Sequence, residues 1–229
     1  MQEASGGVGV SVAGDSGIAE VWPLFGVVLR TPRLVLRAVR DEDLPGLAAA
    51  ALAGIHEKDR MPFAQPWTDA PPEQLVPNLA RYQWSLRTAT TREKWRIAFA
   101  IIHEGAVIGT QDLAADDFAV TRTVETGSWI TQSAQGQGLG KEMRAAVLMF
   151  AFDLLGAEVA ETGAAEWNAP SQGVSRALGY EPNGRRYVTA RPGERDEELL
   201  FRVTPEAFRR PAWQLEVTGF EAAREFLLG

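Results

Sequence analysis

The chain contains no cysteine. That excludes disulfides, thiolate-held zinc, iron–sulfur clusters and a thiol nucleophile. It fits a reducing compartment, so a cytoplasmic protein is expected. There are only two histidines, His56 and His103, and they lack the short spacing of metal ligands, so no metal is expected. Long apolar runs are absent too. The longest, Ala145 to Phe152, falls well short of the roughly 18 residues of a membrane span. Positive charge is scarce: 23 Lys and Arg against 30 Asp and Glu leave a net charge of −7. A nucleic-acid partner would usually require a basic footprint. An acidic excess suits a cationic partner, by steering rather than contact.

What is present fits one large domain in 229 residues. Residues 1–22 read as a flexible tail. They are rich in Gly, Ala, Ser and Val and lack the basic start and apolar core of a signal peptide. Their few apolar groups cannot offset the entropy of ordering. Residues 23–229 are expected to form a single domain with a C-terminal extension from about residue 205.

Within that domain, Arg33 to Val39 alternates basic and apolar residues, the pattern of a half-buried strand. Asp41, Glu42 and Asp43 then open a helix to about Ile55. A proline-punctuated stretch follows, holding His56, Met61, Phe63 and Trp67. A second helix after Pro72 carries Leu75, Leu79, Tyr82 and Leu86 at helical spacing. Three β-prone runs come next: Trp95 to Ile102, Val107 to Leu113 and Glu125 to Thr131, the first two joined by a hairpin turn at His103 to Ala106. Lys141 to Leu155 is an amphipathic helix capped by Gly156. A strand at Glu158 to Gly163, a helix at Pro170 to Leu178 and strands at Tyr180 to Ala190 and Glu198 to Val203 complete the pattern. The end, Trp213 to Leu228, reads as a strand-like piece and a short helix. Hairpins mixed with strand–helix–strand units give an α/β (α+β) fold with a mixed sheet.

The most informative stretch is Gln135-Gly-Gln-Gly-Leu-Gly-Lys141, between a strand and the long helix. Such a turn exposes backbone N–H groups that no helical carbonyl can take, and with the helix dipole they form an anion site. A P-loop is excluded, because Glu142 stands where the magnesium-binding hydroxyl belongs and Gln135 where the first glycine belongs. A dinucleotide fingerprint is excluded by its glycine spacing and by the three strands before it. The pattern [Q/R]-x-x-G-x-[G/A] is matched in full by Gln135, Gly138 and Gly140.

That pattern resembles the acyl-CoA loop of the GNAT superfamily of N-acetyltransferases. Three more segments resemble its RimJ/RimL-type branch: Arg30-Thr-Pro-Arg-Leu34, Glu125-Thr-Gly-Ser-Trp-Ile130, and Asn168-Ala-Pro-Ser171 followed by Leu178-Gly-Tyr180. The four motifs stand in order across roughly residues 30 to 205. The resemblance implies a mixed sheet of about six to seven strands, splayed in its middle to admit acyl-CoA. It implies acetyl-CoA, or another acyl-CoA such as succinyl-CoA, as cosubstrate and a primary amine of a protein N-terminus, a lysine or a small molecule as acceptor, with direct attack in a ternary complex. A monomer or homodimer fits equally. A non-catalytic acyl-CoA sensor with the same fold is the alternative.

Carried over by position, free backbone groups near Ile130 and Gln132 would bond the pantetheine arm and the acyl carbonyl. The amides of Gln135, Gly136, Gln137, Gly138, Leu139, Gly140 and Lys141 would hold the pyrophosphate. Asn168 and Ser171 would line the opposite wall. A carboxylate must take the amine's proton. Glu125 is the first candidate and Asp112, also counted on the acceptor side, the second. Ser171 would supply a donor to the leaving sulfur. Many members of the wider superfamily have a tyrosine acid where Ser175 stands here, whereas the RimJ/RimL-type branch commonly uses the earlier serine, which Ser171 matches. His56, Phe63, Trp67 and Tyr82 are expected to wall the acceptor side, whose aromatic faces suit an amine. Trp129 and Tyr180 read as sheet packing, Trp84 as a further acceptor aromatic, and His103 as exposed.

Overall fold

The computed structural model describes residues 16–228; residues 1–15, most of the expected tail, and Gly229 lie outside them. In chain order the elements are α1 (Ser16–Val21), β1 (Val28–Arg30), β2 (Leu34–Ala38), α2 (Leu44–Leu52), α3 (Pro72–Ala89), β3 (Lys94–His103) and β4 (Ala106–Asp116). Next come α4 (Phe118–Thr121), β5 (Thr123–Ile130), α5 (Leu139–Met149), β6 (Val159–Ala165), α6 (Ala169–Ala177), β7 (Glu181–Arg191), β8 (Glu194–Val203), β9 (Glu216–Thr218) and α7 (Phe220–Leu228). None of the described helices is long and apolar enough to cross a membrane.

The strands form one sheet in the order β7-β8-β6-β5-β4-β3-β2-β1-β9. It has nine strands rather than six or seven. The extra edge comes from β1 and β9, three residues each, too short to show alternation in sequence. Val28 to Arg30 pairs with Glu216 to Thr218, so the C-terminal segment closes a sheet edge. Phe220 of α7 then packs edge-on against Phe150, 5.4 Å between centroids. Residues 16–22, counted with the tail from sequence, include α1 and Trp22, whose ring lies 5.4 Å from Phe226.

All neighbouring strands run antiparallel except β5 and β6. Two apolar layers cover the faces. One joins α5, α6 and α7 to Leu34, Leu36, Ile97, Phe99, Leu113, Val124 and Phe201. The other joins α2 and α3 to Ala98, Ala100, Ile102 and Val107. Burial on both faces corrects the half-buried reading of β2: Arg37 lies at 0% exposure and pairs bidentately with the equally buried Asp43. α5 is capped at its start by Gly138, whose φ of +80° is left-handed, and runs on as a π-helical turn, Phe150–Leu155. Glycine suits that left-handed start.

Candidate active site

The one parallel pair is also the shortest ladder of the sheet's centre. β5 and β6 are in register only from Thr123/Val159 to Glu125/Glu161. At that point side chains take over from backbone. Thr162 Oγ1 donates to Thr126 O at 2.8 Å, and Thr126 Oγ1 to Glu161 O at 3.2 Å. Beyond this vertex the strands part, and a gap opens between Gly127–Ile130 and Gly163–Ala165.

The register of β5 on β4 determines what faces the gap. Thr131 N–H donates to Ile108 O at 2.8 Å, one step beyond the Gly109/Ile130 pair. Antiparallel ladders alternate bonded and unbonded pairs. Trp129 and Gly127 therefore bond toward β4, while the backbone groups of Thr126, Ser128 and Ile130 point toward β6 and the gap. Gly109 permits the close approach: a Cβ there would lie 2.1 Å from Trp129 O.

The glycine loop stands above the gap's open end. Gly136 and Gly138 have φ of +74° and +80°. A Cβ at Gly136 would meet nothing within 4 Å, so the space over the loop is clear. The first bond back into the loop is Glu142 N–H to Gly138 O at 3.1 Å, and the preceding amides at the start of α5 have no helical acceptor. Leu139 is buried beneath them, Lys141 is exposed, and Gly140 faces Val174 of α6 at 3.8 Å. The Gln135 side chain ties the loop down, donating to Ile55 O (2.8 Å) and Ile130 O (3.0 Å). Gln137 braces it through Ser133 O at 2.9 Å. Two expectations fail here, a free Gln132 backbone and a free Gln135 amide. Both backbone groups of Gln132 are engaged, its N–H by Gly54 O (2.9 Å) and its carbonyl by Gln135 N–H (3.0 Å), because the chain turns at once into a 3-10 turn. Gln132 therefore offers no free main-chain donor.

Across the gap, Asn168 caps α6 by accepting from Ser171 N–H at 3.2 Å. The half-buried Ser171 hydroxyl bonds to nothing among the described residues and is free to donate. Ser175 is buried and committed to Ser171 O at 3.3 Å.

The vertex holds a polar cluster that sequence reasoning missed. Arg144 of α5, 4% exposed, donates to Gln111 Oε1 (3.2 Å), Ser128 Oγ (3.1 Å) and Thr162 Oγ1 (3.1 Å). It thus bridges β4, β5 and β6. Among the described residues it has no carboxylate within ion-pair distance. Tyr180 Oη lies 3.2 Å from Thr126 Oγ1, so this ring packs in the core while its hydroxyl joins the cluster. The signal was available: Arg144 stands three residues before Val147 and seven before Ala151, on the buried stripe of α5.

On the α2/α3 face, Asp112 lies opposite Gly127 on the neighbouring strand. Burial pushes its carboxyl up from the ordinary 3.8 to about 6, against the lowering effect of Arg96 at 3.4 Å. A Cβ at Gly127 would meet nothing within 4 Å, so space stays open beside Asp112. Glu125, the first candidate base, is exposed two residues along β5 from Gly127, beside its parallel partner Glu161. The Tyr82 ring is half exposed at 49%; burial of its hydroxyl, then the charge of Asp112, raises its pKa.

His56, Phe63, Trp67 and Trp129 form a chain of ring contacts with centroid separations of 5.7, 5.4 and 5.6 Å. His56 is pinned on both nitrogens, by Glu57 O at 2.8 Å and Thr68 Oγ1 at 2.7 Å. The same loop is fastened to the far side of the gap. Arg191 at the end of β7 grips Asp69 through Nε (2.6 Å) and Nη2 (3.1 Å), and its Nη2 also donates to Lys58 O (2.9 Å). That hydrogen bond holds the Asp69 carboxyl below its ordinary range. Trp84 is not part of this wall: it points outward and donates to Asp41 Oδ1 at 3.0 Å. His103 is half-buried and remote, opposite Leu34 at the end of β3.

Comparison with known proteins gives a consistent picture. The family described as Acetyltransferase (GNAT) domain matches residues 33–181. A solved structure titled Mycobacterium smegmatis RimJ in complex with CoA-disulfide superposes with a TM-score of 0.69 at 21% identity, covering 88% of this chain and 94% of that one. A RimL structure, described as a ribosomal L7/L12 alpha-N-protein acetyltransferase in complex with coenzyme A, gives 0.60 at 16% identity, covering 77% and 97%. A GNAT-family acetyltransferase from Bacillus anthracis gives 0.60 at 15%, covering 78% and 99%. At these identities the likeness shows a shared fold.

Proposed function

Because the chain belongs to the GNAT acetyltransferase family and is an N-acetyltransferase, we propose that it holds acyl-CoA in the β5–β6 gap and passes the acyl group to a primary α-amine. The observation that carries this reading is the gap itself. It opens beneath a ring of free loop amides and is edged by the backbone groups of Ser128 and Ile130. The residues fit such a ligand. The amides from Gly136 to Lys141 suit the pyrophosphate, and the clear space over Gly136 leaves room for it.

Acyl-CoA supplies a thioester carbon open to attack by an amine. Everything else must come from the chain. Asp112 accepts the amine's proton, since a carboxyl of pKa about 6 is largely ionised at neutral pH yet more basic than an exposed one. Glu125 and Glu161 draw the cationic acceptor toward the mouth. N–H donors of Ser128 and Ile130 stand where negative charge develops on the carbonyl oxygen, and losing one such donor typically costs about 2.7–4 kcal/mol. The Ser171 hydroxyl gives its proton to the departing sulfur. An α-amine starts near pKa 8 and a lysine near 10.4, so the former needs less help to be neutral. A protein N-terminus is the acceptor type named for the RimL structure, and the rings of the loop that packs on Trp129 offer such an amine aromatic faces.

Arg144 favours a second reading of the donor. A buried cation without a countercharge at the vertex suits an acyl group ending in a carboxylate, such as succinyl. Mass spectrometry of the CoA species that copurifies, followed by turnover with acetyl-, butyryl- and succinyl-CoA on an α-amine peptide, separates the two. Preference for acetyl supports the first reading. Preference for succinyl over butyryl supports the second. No turnover with any of them on a broad amine panel sinks both.

A further inference from the structure

The opening motif Arg30-Thr-Pro-Arg-Leu34 has so far had only a structural part, yet it touches the glycine loop. Glu142, in the first turn of α5, is 6% exposed. It accepts three hydrogen bonds from this motif, from Thr31 Oγ1 (2.6 Å) and Arg33 N–H (3.0 Å) on Oε1 and from Arg33 Nε (2.7 Å) on Oε2, and Arg33 Nη2 adds an ion-pair contact with Oε2 at 2.6 Å. Arg33 Nη1 reaches on to Gln137 O at 2.9 Å, inside the loop. A Cβ on Gly138 would sit 3.5 Å from Arg33 Nη2. One guanidinium thus joins the loop, the helix start and the first turn's carboxylate.

The electrostatics explain the arrangement. A carboxylate at a helix N-terminus is favoured by the dipole. Here it also stands beside the place where a pyrophosphate must come, and two anions there repel. Arg33 removes that repulsion by neutralising Glu142. Its fork-shaped pairing fixes the loop as well. Its Nε and Nη1 make the hydrogen bonds, and Nη2 the 2.6 Å ion-pair contact.

We propose that Arg33 is a positioning residue for the cofactor's phosphates: it holds the glycine loop in its anion-binding shape and screens Glu142 from the ligand. This rests on the reading of the loop as the pyrophosphate site. Calorimetric titration with CoA tests it, alongside turnover of S-acetylpantetheine, a donor without phosphates. Arg33→Met should weaken CoA about 30-fold. That is the Coulomb scale of one bare carboxylate roughly 8 Å from a phosphate charge at an effective dielectric near 20. Adding Glu142→Gln should recover most of that loss, while S-acetylpantetheine turnover stays within about twofold of wild type throughout. Should Arg33→Met fail to fold, Arg33→Lys keeps the charge without the fork and should show an intermediate loss. CoA affinity unchanged in whichever variant folds overturns the proposal. So does a parallel fall in S-acetylpantetheine turnover, which would mark a merely structural role. A wild type that binds no CoA overturns the loop assignment itself, which is a different failure.

Discussion

Arg37 and Arg144 are both buried on this sheet and are partnered in opposite ways. Arg37 lies between two carboxylates, bidentate to the fully buried Asp43 and 2.9 Å from Glu42. Among the described residues Arg144 has only a carboxamide and two hydroxyls. Neutral acceptors satisfy the donors of a guanidinium but do not cancel its charge. Arg37 is therefore spent within the fold, whereas the charge of Arg144 remains available to whatever enters the gap. The carboxylates repeat the contrast. Asp43 is locked to Arg37 at 2.8 and 2.9 Å, while Asp112 meets Arg96 only at 3.4 Å; burial raises the pKa of both, that of Asp112 to about 6.

The largest effect should come from breaking the closed pair. Asp43→Ala leaves Arg37 buried with a single half-exposed partner and should destabilise the protein by about 3–5 kcal/mol in denaturant unfolding. CoA affinity per folded molecule should not change, since neither residue reaches the gap.

Asp112→Asn should lower kcat by about 10²–10³-fold, the scale of a lost general base. In the wild type, activity should fall as pH drops through about 6, because the carboxyl then carries a proton and can accept no other. Stability should move the other way. With the folded pKa above the ordinary 3.8, the contribution of Asp112 to stability is full below that value and is lost as pH rises through about 6. A pH profile and a set of unfolding curves, both with Asp112→Asn as control, check the two signs.

Arg144→Met should lower kcat/KM for acyl donors about 100-fold, as strands shifted by a fraction of an ångström misplace the reacting atoms. Its unfolding free energy should change little or rise, because an apolar side chain replaces a buried cation without a countercharge. A loss of stability like that of Asp43→Ala would erase the contrast between the two arginines. The smallest effect belongs to the surface. Arg191→Ala frees the aromatic loop, held through Asp69, from β7 and should raise KM for a peptide acceptor about threefold with kcat unchanged, since exposed pairs are worth about 1 kcal/mol or less.

The loop was legible in sequence because backbone function leaves a composition signature. Gly136 and Gly138 must be glycine for their φ, and Gln135 must reach two carbonyls. The same holds for Asn168, whose cap shows in the residue type itself. The vertex was illegible because its polarity is assembled from four separate segments. Gln111, Ser128 and Thr162 each look ordinary where they stand, and although Arg144 falls on the buried stripe of α5, only the sheet register brings the four together. Glu125 ranked above Asp112 for a similar reason: a motif marks position, while burial, which moved the Asp112 carboxyl, depends on α3 and β3. The strands β1 and β9 were missed or blurred because three residues cannot display a period.

The most direct test of the central claim is calorimetric titration of CoA into the wild-type chain and into Gly138→Glu, each first shown to be folded by its thermal transition. The account predicts saturable one-to-one binding by the wild type and none by the variant, whose carboxylate would fill and charge the anion site. Equal affinity in the two proteins would contradict it.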